Sequence, residues 1–237
     1  MEQSDAGNST AYTGDGTAAD IVRWALETFH PRIVVATSLQ DSVLIHLAAS
    51  VRQDVRVFSI DTGRLPEETY ACAEEIRQQL GVRIEWYFPR HEAVETLETE
   101  QGLYSFKQSL EARRECCHIR KVEPLRRALS GVDAWITGLR REESVTRGSL
   151  ATIERDAAHG GIVKINPLAD WTAGDIDAYV RQHDLPYNHL MDRGYPSIGC
   201  ACCTRPVAPG EDSRAGRWWW ELPEHKECGL HLHDAQQ

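Results

Sequence analysis

The feature that most constrains the fold is a series of short apolar segments set among longer segments of helical pattern. Apolar runs of about four to eight residues are typical of strands that are buried on both faces of a parallel sheet. Such runs occur at Ile33–Ala36, Val55–Ile60, Val82–Phe88, Ala134–Thr137 and Ile162–Ile165. The sequence therefore predicts an α/β fold, with a doubly wound, mainly parallel five-stranded sheet and helices on both faces.

Local capping signals mark several of the helices. Thr17 with Asp20, and Thr172 with Asp175, have the spacing of capping boxes, in which each side chain binds the other residue's backbone N–H. Pro66 precedes two glutamates, and proline with acids in the first turn favours a helix start. Further helical pattern runs through Glu92–Glu100, Ser105–Arg113 and Cys117–Leu129.

Composition changes at both ends of the chain. Residues 1–16 are small and polar, which predicts a disordered segment. From Arg205 onward the chain is rich in proline, glycine and charge, and it contains three consecutive tryptophans, Trp218 to Trp220. We therefore expect a disordered segment over 1–16, an α/β domain over 17–204 and a mobile C-terminal tail over 205–237.

Charge and hydropathy narrow the class of function. The net charge is −10 at neutral pH, whereas a general nucleic-acid binder would carry a basic face, so no nucleic-acid partner is expected. The N-terminus has no signal-peptide pattern, and no apolar run approaches the roughly 20 residues that cross a bilayer. We expect a cytoplasmic protein without membrane contact, in which clustered cysteines favour metal binding or catalysis over disulfides.

Two cysteine pairs carry the strongest chemical signal. Cys116 is adjacent to Cys117, and two residues separate Cys200 from Cys203. Four thiolates in two pairs can hold a cubane iron–sulfur cluster. Adjacent side chains reach a single tetrahedral zinc ion less easily, although zinc stays an alternative. Cys202 could also be a ligand, but two intervening residues are the usual chelating loop, which favours Cys203.

Two other cysteines lie apart from these pairs. Cys72 falls inside a predicted helix and is expected to be a buried core thiol. Cys228 lies on the polar tail between Lys226 and His231, which could lower the pKa of its thiol, whereas Glu227 opposes that shift. A lone thiol is often incidental, so these neighbours alone leave the role of Cys228 open.

Polar residues follow two of the predicted strands, at the carboxyl edge where ligands bind in open parallel sheets. Ser38 and Ser42 flank the start of the helix after the first strand. Backbone N–H groups at such a helix start bind phosphate or sulfate, although an ordinary helix cap is the more frequent role of such serines. Asp61 and Thr62 follow the second strand, where they could contact a nucleoside or form a plain turn.

Three arginines follow the fourth predicted strand. Arg140 and Arg141 come directly after its last residues, and Arg147 lies a few positions further on. The planar guanidinium group matches the oxygens of phosphate and sulfate, although a solvated loop would also carry such residues. This loop is therefore a candidate anion site.

Five motifs occur in order along the chain, and the similarity that they carry extends from about residue 20. The motifs are Glu115–Leu125, Gly194–Cys200, Cys203–Pro206, Arg214–Trp218 and Glu227–His231. They resemble the signatures of the assimilatory adenylyl-sulfate (APS) reductases, the iron–sulfur branch of the family that also includes the 3′-phosphoadenylyl-sulfate (PAPS) reductases. The resemblance implies an adenine-nucleotide α-hydrolase-like fold, related to the PP-loop ATP pyrophosphatases.

The same resemblance implies roles for individual residues. The implied ligands of a [4Fe–4S] cluster are Cys116, Cys117, Cys200 and Cys203. The implied contacts to the phosphosulfate, or to charge near it, are Lys121, Arg214 and Arg217. Cys228 would be the nucleophile, and Ser38 and Ser42 would belong to a modified PP-loop. In that loop Leu39-Gln40 replaces the glycine pair of the pyrophosphatases, which argues against ATP cleavage.

The implied reaction reduces adenosine 5′-phosphosulfate to sulfite and AMP. The Cys228 thiolate would attack the sulfate sulfur, AMP would leave, and an enzyme S-sulfocysteine would form. Thioredoxin or a similar dithiol protein would then attack the Cys228 sulfur and release sulfite, a step of sulfate assimilation toward cysteine. The sequence leaves the oligomeric state open, a homo-oligomer included.

Three alternatives stay open on the sequence. A PAPS reductase would carry out the same chemistry, but typical members of that branch lack the two cysteine pairs. A nucleotide-binding iron–sulfur redox sensor would have no need for Cys228 on a tail. A PP-loop ATP-dependent ligase or thiolase is disfavoured by Leu39-Gln40. The cysteine pairs together with Cys228 favour reduction of APS.

Overall fold

The structure, a computed structural model, describes residues 16–144, 147–222 and 225–226. Within them a six-stranded sheet has the order β3-β2-β1-β4-β6-β5. Its strands are β1 (Ile33–Ala36), β2 (Val57–Ile60), β3 (Ile84–Tyr87), β4 (Ala134–Ile136), β5 (Ile153–Asp156) and β6 (Ile162–Ile165). Neighbouring strands are parallel, except that β5 runs antiparallel to β6. The predicted α/β class and mainly parallel sheet are confirmed.

Strand β5 is an addition to the five predicted strands. Its sequence, IERD, contains one large apolar residue, so no hydrophobic pattern marks it. It lies at the edge of the sheet and pairs along its length with β6, where Glu154 and Lys164 form an ion pair at 2.9 Å. Gly160 and Gly161 both have positive φ and return the chain into β6. Pairing with a neighbour, rather than periodicity, therefore decides this strand.

Helices cover both faces of the sheet, as predicted. They are α1 (Ala18–Phe29), α2 (Val43–Val51), α3 (Glu67–Leu80), α4 (His91–Gln101), α5 (Leu110–Cys117), α6 (Glu123–Ala128) and α7 (Ala173–Gln182). Val35 and Val57 pack with α1, α2, α3 and α7, while Val34 and Phe58 pack with α6, which follows the two-residue period of strands. Both predicted capping boxes are present. No helix in the described part of the chain has the length and hydrophobicity to span a bilayer.

A π-helical segment joins α5 to α6. It spans His118–Val122, directly after the adjacent cysteines, in a region predicted as ordinary helix. Such wider turns are rare and occur frequently at functional sites. Two buried cationic side chains of this segment, Arg120 and Lys121, line the same cavity as the cysteines. The π segment thus places both cations beside the thiols.

The order of the strands sets the position of a crevice. From β1 the chain adds β2 and β3 toward one edge, and it then returns to place β4 on the other side of β1. Ligands of open α/β sheets bind at such a switch point, outside the carboxyl ends of the strands. The loops that follow β1, β2 and β4 therefore meet at one place.

Candidate active site

A cleft of about 250 Å³ lies at this switch point. Thr37, Ser59 and Thr137, at or just after the ends of β1, β2 and β4, are part of its lining. Among the described residues of the lining, the charged side chains are Asp41, Lys121, Arg140, Glu143, Arg147, Arg214 and Arg217. A protein with a net charge of −10 thus gathers positive charge in one cleft, which favours an anionic ligand.

Most of the residues predicted to bind substrate meet in this cleft. Those in its lining are Ser38, Thr62, Lys121, Arg140, Arg147, Arg214 and Arg217. Ser42 is outside the lining, and its hydroxyl donates a hydrogen bond of 2.7 Å to the Pro186 carbonyl. The side chain of Ser42 therefore ties two loops together and makes no capping hydrogen bond to α2.

Two more of the predicted residues lie outside the lining of the cleft. Asp61 accepts hydrogen bonds from the Gly63 N–H and from the Tyr70 hydroxyl, at 2.7 and 3.0 Å, so it shapes the turn after β2. Arg141 pairs with Asp170 and also donates to a backbone carbonyl. Both side chains therefore stabilise loops that border the cleft.

Several buried donor atoms at the cleft make no hydrogen bond inside the described residues. Three of them are the Nε atoms of Arg140 and Arg217 and the indole nitrogen of Trp218. A buried donor without a partner costs about 1–3 kcal/mol. Because all three side chains line the cleft, a ligand rich in oxygen atoms could supply the missing acceptors.

Arg217 is held in one orientation by its neighbours. Its terminal nitrogen donates to the Ser197 hydroxyl and to the Ile198 carbonyl, at 3.2 and 3.1 Å. Its guanidinium lies over the ring of Trp218, 4.7 Å from the centroid. The backbone at Gly199 approaches so closely that a Cβ there would overlap the guanidinium. Glycine at this position therefore allows the arginine to reach the cleft.

Beside the cleft, a small buried cavity is surrounded by thiols. All four predicted cluster ligands line it, each between 6 and 8 % exposed: Cys116, Cys117, Cys200 and Cys203. Lys121, Cys200 and Trp218 line both this cavity and the cleft. The cleft and the cysteine cavity therefore share a wall, so a group bound in the cavity would lie next to a molecule bound in the cleft.

Cationic side chains also surround the cysteine cavity. Arg64, Arg113 and Arg120 are part of its lining. Arg64 and Arg120 both form ion pairs with Glu98, and a terminal nitrogen of Arg64 lies 3.9 Å from the Cys202 sulfur. Buried thiolates are costly unless positive charge offsets them. This set of arginines could offset the charge of several thiolates.

The cysteines of this cavity are the donor type that an iron–sulfur cluster requires. Five cysteines line one cavity that cations surround, namely the four predicted ligands and Cys202, and all five are free thiols. Among the described residues, no three His, Cys, Asp or Glu side chains form a group that could hold a metal ion. In a cubane cluster each thiolate binds its own iron, so the four sulfurs need not converge on one ion. The thiol donors and the surrounding cations therefore fit an iron–sulfur cluster.

The remaining described cysteines differ in environment. The Cys202 sulfur lies 3.8 Å from that of Cys203, and a hydrogen bond from Cys203, helped by Arg64, lowers the pKa of Cys202 to about 6. The same contact and burial raise the pKa of Cys203. Cys72 is buried in the core, where burial raises the pKa of its thiol to about 12, which confirms the predicted core thiol.

The sequence of the chain matches a known reductase domain over most of its length. The model of the phosphoadenosine phosphosulfate reductase domain matches residues 32–206. The chain belongs to this reductase family. Curated relatives in the same family are named adenosine 5′-phosphosulfate reductase. One from Burkholderia cepacia is 52% identical over 205 residues, covering 86% of this chain and 82% of the relative. Another, from Allochromatium vinosum, is 53% identical over 201 residues, which cover 84% of this chain and 78% of the relative.

A solved structure gives the same result for the fold. The phosphoadenylyl-sulfate reductase of Candida auris, in a phosphate complex, superposes with a TM-score of 0.68 at 28% identity. The match covers 81% of this chain and 91% of that one. The recognised family and the fold class expected from the motifs are confirmed.

An ion pair anchors the chain that follows Arg205 in this reductase. Arg113 and Glu221 are 2 and 8 % exposed and approach to 2.9 Å, and Arg113 also donates to the His225 carbonyl at 2.6 Å. Trp218, with 1 % exposure, stacks on the same guanidinium. Trp218 and Glu221 therefore hold this part of the chain against the cysteine cavity. Cys228 lies outside the described residues. The mobility of the tail over 205–237 and the role of Cys228 as the nucleophile therefore stay predictions.

Replacing Glu221 by alanine is expected to destabilise the protein strongly. The change leaves the buried Arg113 guanidinium without its carboxylate, and breaking such a pair costs about 3–5 kcal/mol. The free energy of unfolding from urea titrations measures the effect. Glu211→Ala, which breaks the exposed pair with Arg205 in the same segment, is the control and is expected to change stability little. Equal effects of the two variants would contradict the anchoring role.

Two residues of the site, Gln40 and Glu143, are not among those predicted to bind substrate, although Leu39-Gln40 marks the departure from the PP-loop glycine pair. The Gln40 amide donates to the Pro196 carbonyl and accepts from the Ile198 N–H, at 3.1 and 3.2 Å, across more than 150 residues of chain. Gln40 thus holds the loop that leads to the cysteine pair. Glu143 lies between two of the predicted arginines and contacts both. Its position among those arginines is the one signal that could have found it.

Proposed function

We propose that this protein reduces adenosine 5′-phosphosulfate to sulfite and AMP in sulfate assimilation. The observation that carries the proposal is that the cationic cleft and the cysteine cavity share a wall, in which Lys121 lines both. The named activity of the relatives supports the same reaction. A cleft built only to bind a nucleotide would not need four thiols behind it.

The cleft matches the two chemical parts of such a substrate. Apolar side chains such as Phe58, Ile60 and Leu168 provide surface for an adenine ring. Lys121 and Arg217 provide positive charge for the phosphosulfate, and Arg214 lines the same cleft. The unused Nε of Arg217 would then gain an acceptor.

The chemical step that we propose uses the thiol of Cys228. Its thiolate forms a bond to the sulfate sulfur, the bond from that sulfur to the bridging phosphate oxygen breaks, and AMP leaves with the electron pair. Lys121 and the cleft arginines offset the charge that develops on the leaving phosphate. A thiolate of a dithiol protein such as thioredoxin then attacks the Cys228 sulfur, sulfite leaves, and a mixed disulfide forms. The second thiol of that partner attacks the mixed disulfide, which closes the partner's own disulfide and releases the Cys228 thiolate.

The cysteine cavity has a separate part in this proposal. Cys116, Cys117, Cys200 and Cys203 would hold a [4Fe–4S] cluster, which supplies a structural anchor and a fixed charge when bound. Lys121 lies between that cavity and the cleft. Since the electrons come from thiols, the residues around the cavity serve to position Lys121 and Trp218. We propose a cytoplasmic location, where reduced dithiol proteins are available.

Sulfite release from APS and from PAPS, with thioredoxin supplied, tests the function. We expect APS to be preferred by roughly a hundredfold or more in kcat/KM, because a 3′-phosphate without a cationic partner pays several kcal/mol of desolvation. Equal or faster turnover of PAPS would identify a PAPS reductase instead. If the protein binds nucleotide but releases sulfite from neither substrate, the alternative of a nucleotide-binding redox sensor is favoured.

A further inference from the structure

One part of the cleft carries compensated charge. Glu143 lies on the turn after β4, where a terminal nitrogen of Arg140 approaches one carboxylate oxygen to 3.3 Å and Arg147 approaches the other to 2.5 Å. The side chains of the two arginines are each 10 % exposed, so solvent screens these pairs only weakly. The Arg140 backbone N–H also donates to the same carboxylate. Glu143 therefore binds both guanidinium groups at once.

A second carboxylate lies close to this group. Asp41 lines the cleft and interacts electrostatically with Arg140 and Glu143. Two guanidinium groups and two acidic side chains thus share this part of the cleft, and burial raises the pKa of the Asp41 carboxyl. These are the acidic side chains in the described lining of the cleft.

The part of the cleft beside the cysteine cavity is different. Lys121 and Arg217 both lie over the ring of Trp218, at 5.6 and 4.7 Å from its centroid. The ion pairs of Glu143 in the described part of the chain are those with Arg140 and Arg147. The positive charge of the cleft is therefore concentrated beside the cysteine cavity, where the phosphosulfate is proposed to bind.

We propose that Glu143 is a specificity-determining residue that keeps a 3′-phosphate out of the nucleotide site. The inference rests on the proposed function, because it concerns the same cleft. With Lys121, Arg214 and Arg217 assigned to the phosphosulfate, the other cations of the described lining are Arg140 and Arg147. Glu143 occupies both of them.

Glu143 would act in two ways: its carboxylate repels a 3′-phosphate, and it already accepts the hydrogen bonds of Arg140 and Arg147 that such a phosphate would need. A 3′-phosphate carries about two negative charges, and near Arg140 it would meet the Glu143 carboxylate before it could pair with either arginine. An uncharged 3′-hydroxyl avoids that repulsion and can accept a hydrogen bond from the unused Nε of Arg140. Glu143 thus rejects one nucleotide by like charge while it leaves the other undisturbed.

The test measures binding of two product nucleotides to the full-length protein. Calorimetry with AMP and with adenosine 3′,5′-bisphosphate gives a ratio of dissociation constants that needs no dithiol and no turnover. In Glu143→Gln we expect the ratio to move toward the bisphosphate by about tenfold or more. Glutamine keeps an oxygen for the Arg140 N–H, so the turn is retained. Glu142→Gln removes the same charge from an exposed neighbour and is expected to leave the ratio unchanged.

The outcomes separate the inference from the proposed function. If the wild type binds neither nucleotide, the proposed function fails and the inference fails with it. If the wild type binds AMP and Glu143→Gln shows the wild-type ratio, the inference is wrong while the function stands. A merely structural role would weaken both nucleotides equally, so it would also leave the ratio unchanged. The ratio of kcat/KM for PAPS and APS should move in the same direction as the binding ratio.

Discussion

Replacing Cys228 by serine is expected to reduce sulfite release from APS by about a thousandfold or more, while AMP binding and iron content stay unchanged. A serine hydroxyl is not ionised at neutral pH, so it is a poor nucleophile. Without the Cys228 thiol no S-sulfocysteine can form, and the dithiol partner has no sulfur–sulfur bond to attack. Sulfite assay, calorimetry with AMP and iron analysis are the measurements. Cys202→Ser provides a thiol control, since this cysteine lies beside the cavity without being one of the four proposed ligands.

The covalent intermediate gives an independent check on the same residue. With APS and no dithiol, the wild type should gain one SO₃ group on the peptide that contains Cys228, as detected by mass spectrometry. The serine variant should gain none. Turnover by the serine variant, or an adduct on any other peptide, would show that the nucleophile lies elsewhere.

Replacing any one of the four proposed ligands by alanine is expected to bleach the protein and to remove most of its activity. The variants are those of Cys116, Cys117, Cys200 and Cys203. Each removes a thiolate from a buried cavity whose cationic lining would then lack part of its counter-charge. Loss of the cluster should also loosen Lys121 and Trp218, which line both sites, so AMP affinity is expected to fall as well.

Cys202 provides the control for the four ligand variants. Cys202 has the same residue type, lies next to Cys203 and faces the same cavity, so Cys202→Ala is a matched control. It should retain iron and colour, as measured by iron analysis and absorbance. A colourless Cys202→Ala protein together with a brown Cys203→Ala protein would exchange the two assignments.

The shared wall between cavity and cleft suggests why the two sites occur together. Cys116 and Cys117 end α5, and the π segment that follows carries Arg120 and Lys121 into the cavity. Whatever occupies the thiols therefore sets the position of a lysine that faces the cleft. Binding at one site and binding at the other are expected to be coupled through this short stretch of chain.

Local patterns in the sequence were sufficient for much of the architecture. Strands β1, β2 and β4 are mostly buried apolar runs, and β6 is a half-buried run of three apolar residues and a lysine, so each can be recognised from its own residues. Capping boxes also connect residues three positions apart, so they too can be read locally. Strand β5 could not be read in this way, because its charged sequence forms a strand only when β6 lies beside it.

For the candidate site, the sequence alone determined which types of residue are available, and the tertiary structure decided which of their side chains line the cleft. The family motifs identified Lys121, Arg217 and the cysteine pairs, because those signals lie in consecutive residues. The structure alone placed Ser42, Asp61 and Arg141 outside the lining of the cleft and placed Gln40 and Glu143 inside it, as its lining residues show. Side-chain direction depends on partners that lie far apart in sequence, and those partners meet only when the sheet, the π segment and the chain after Arg205 are packed together.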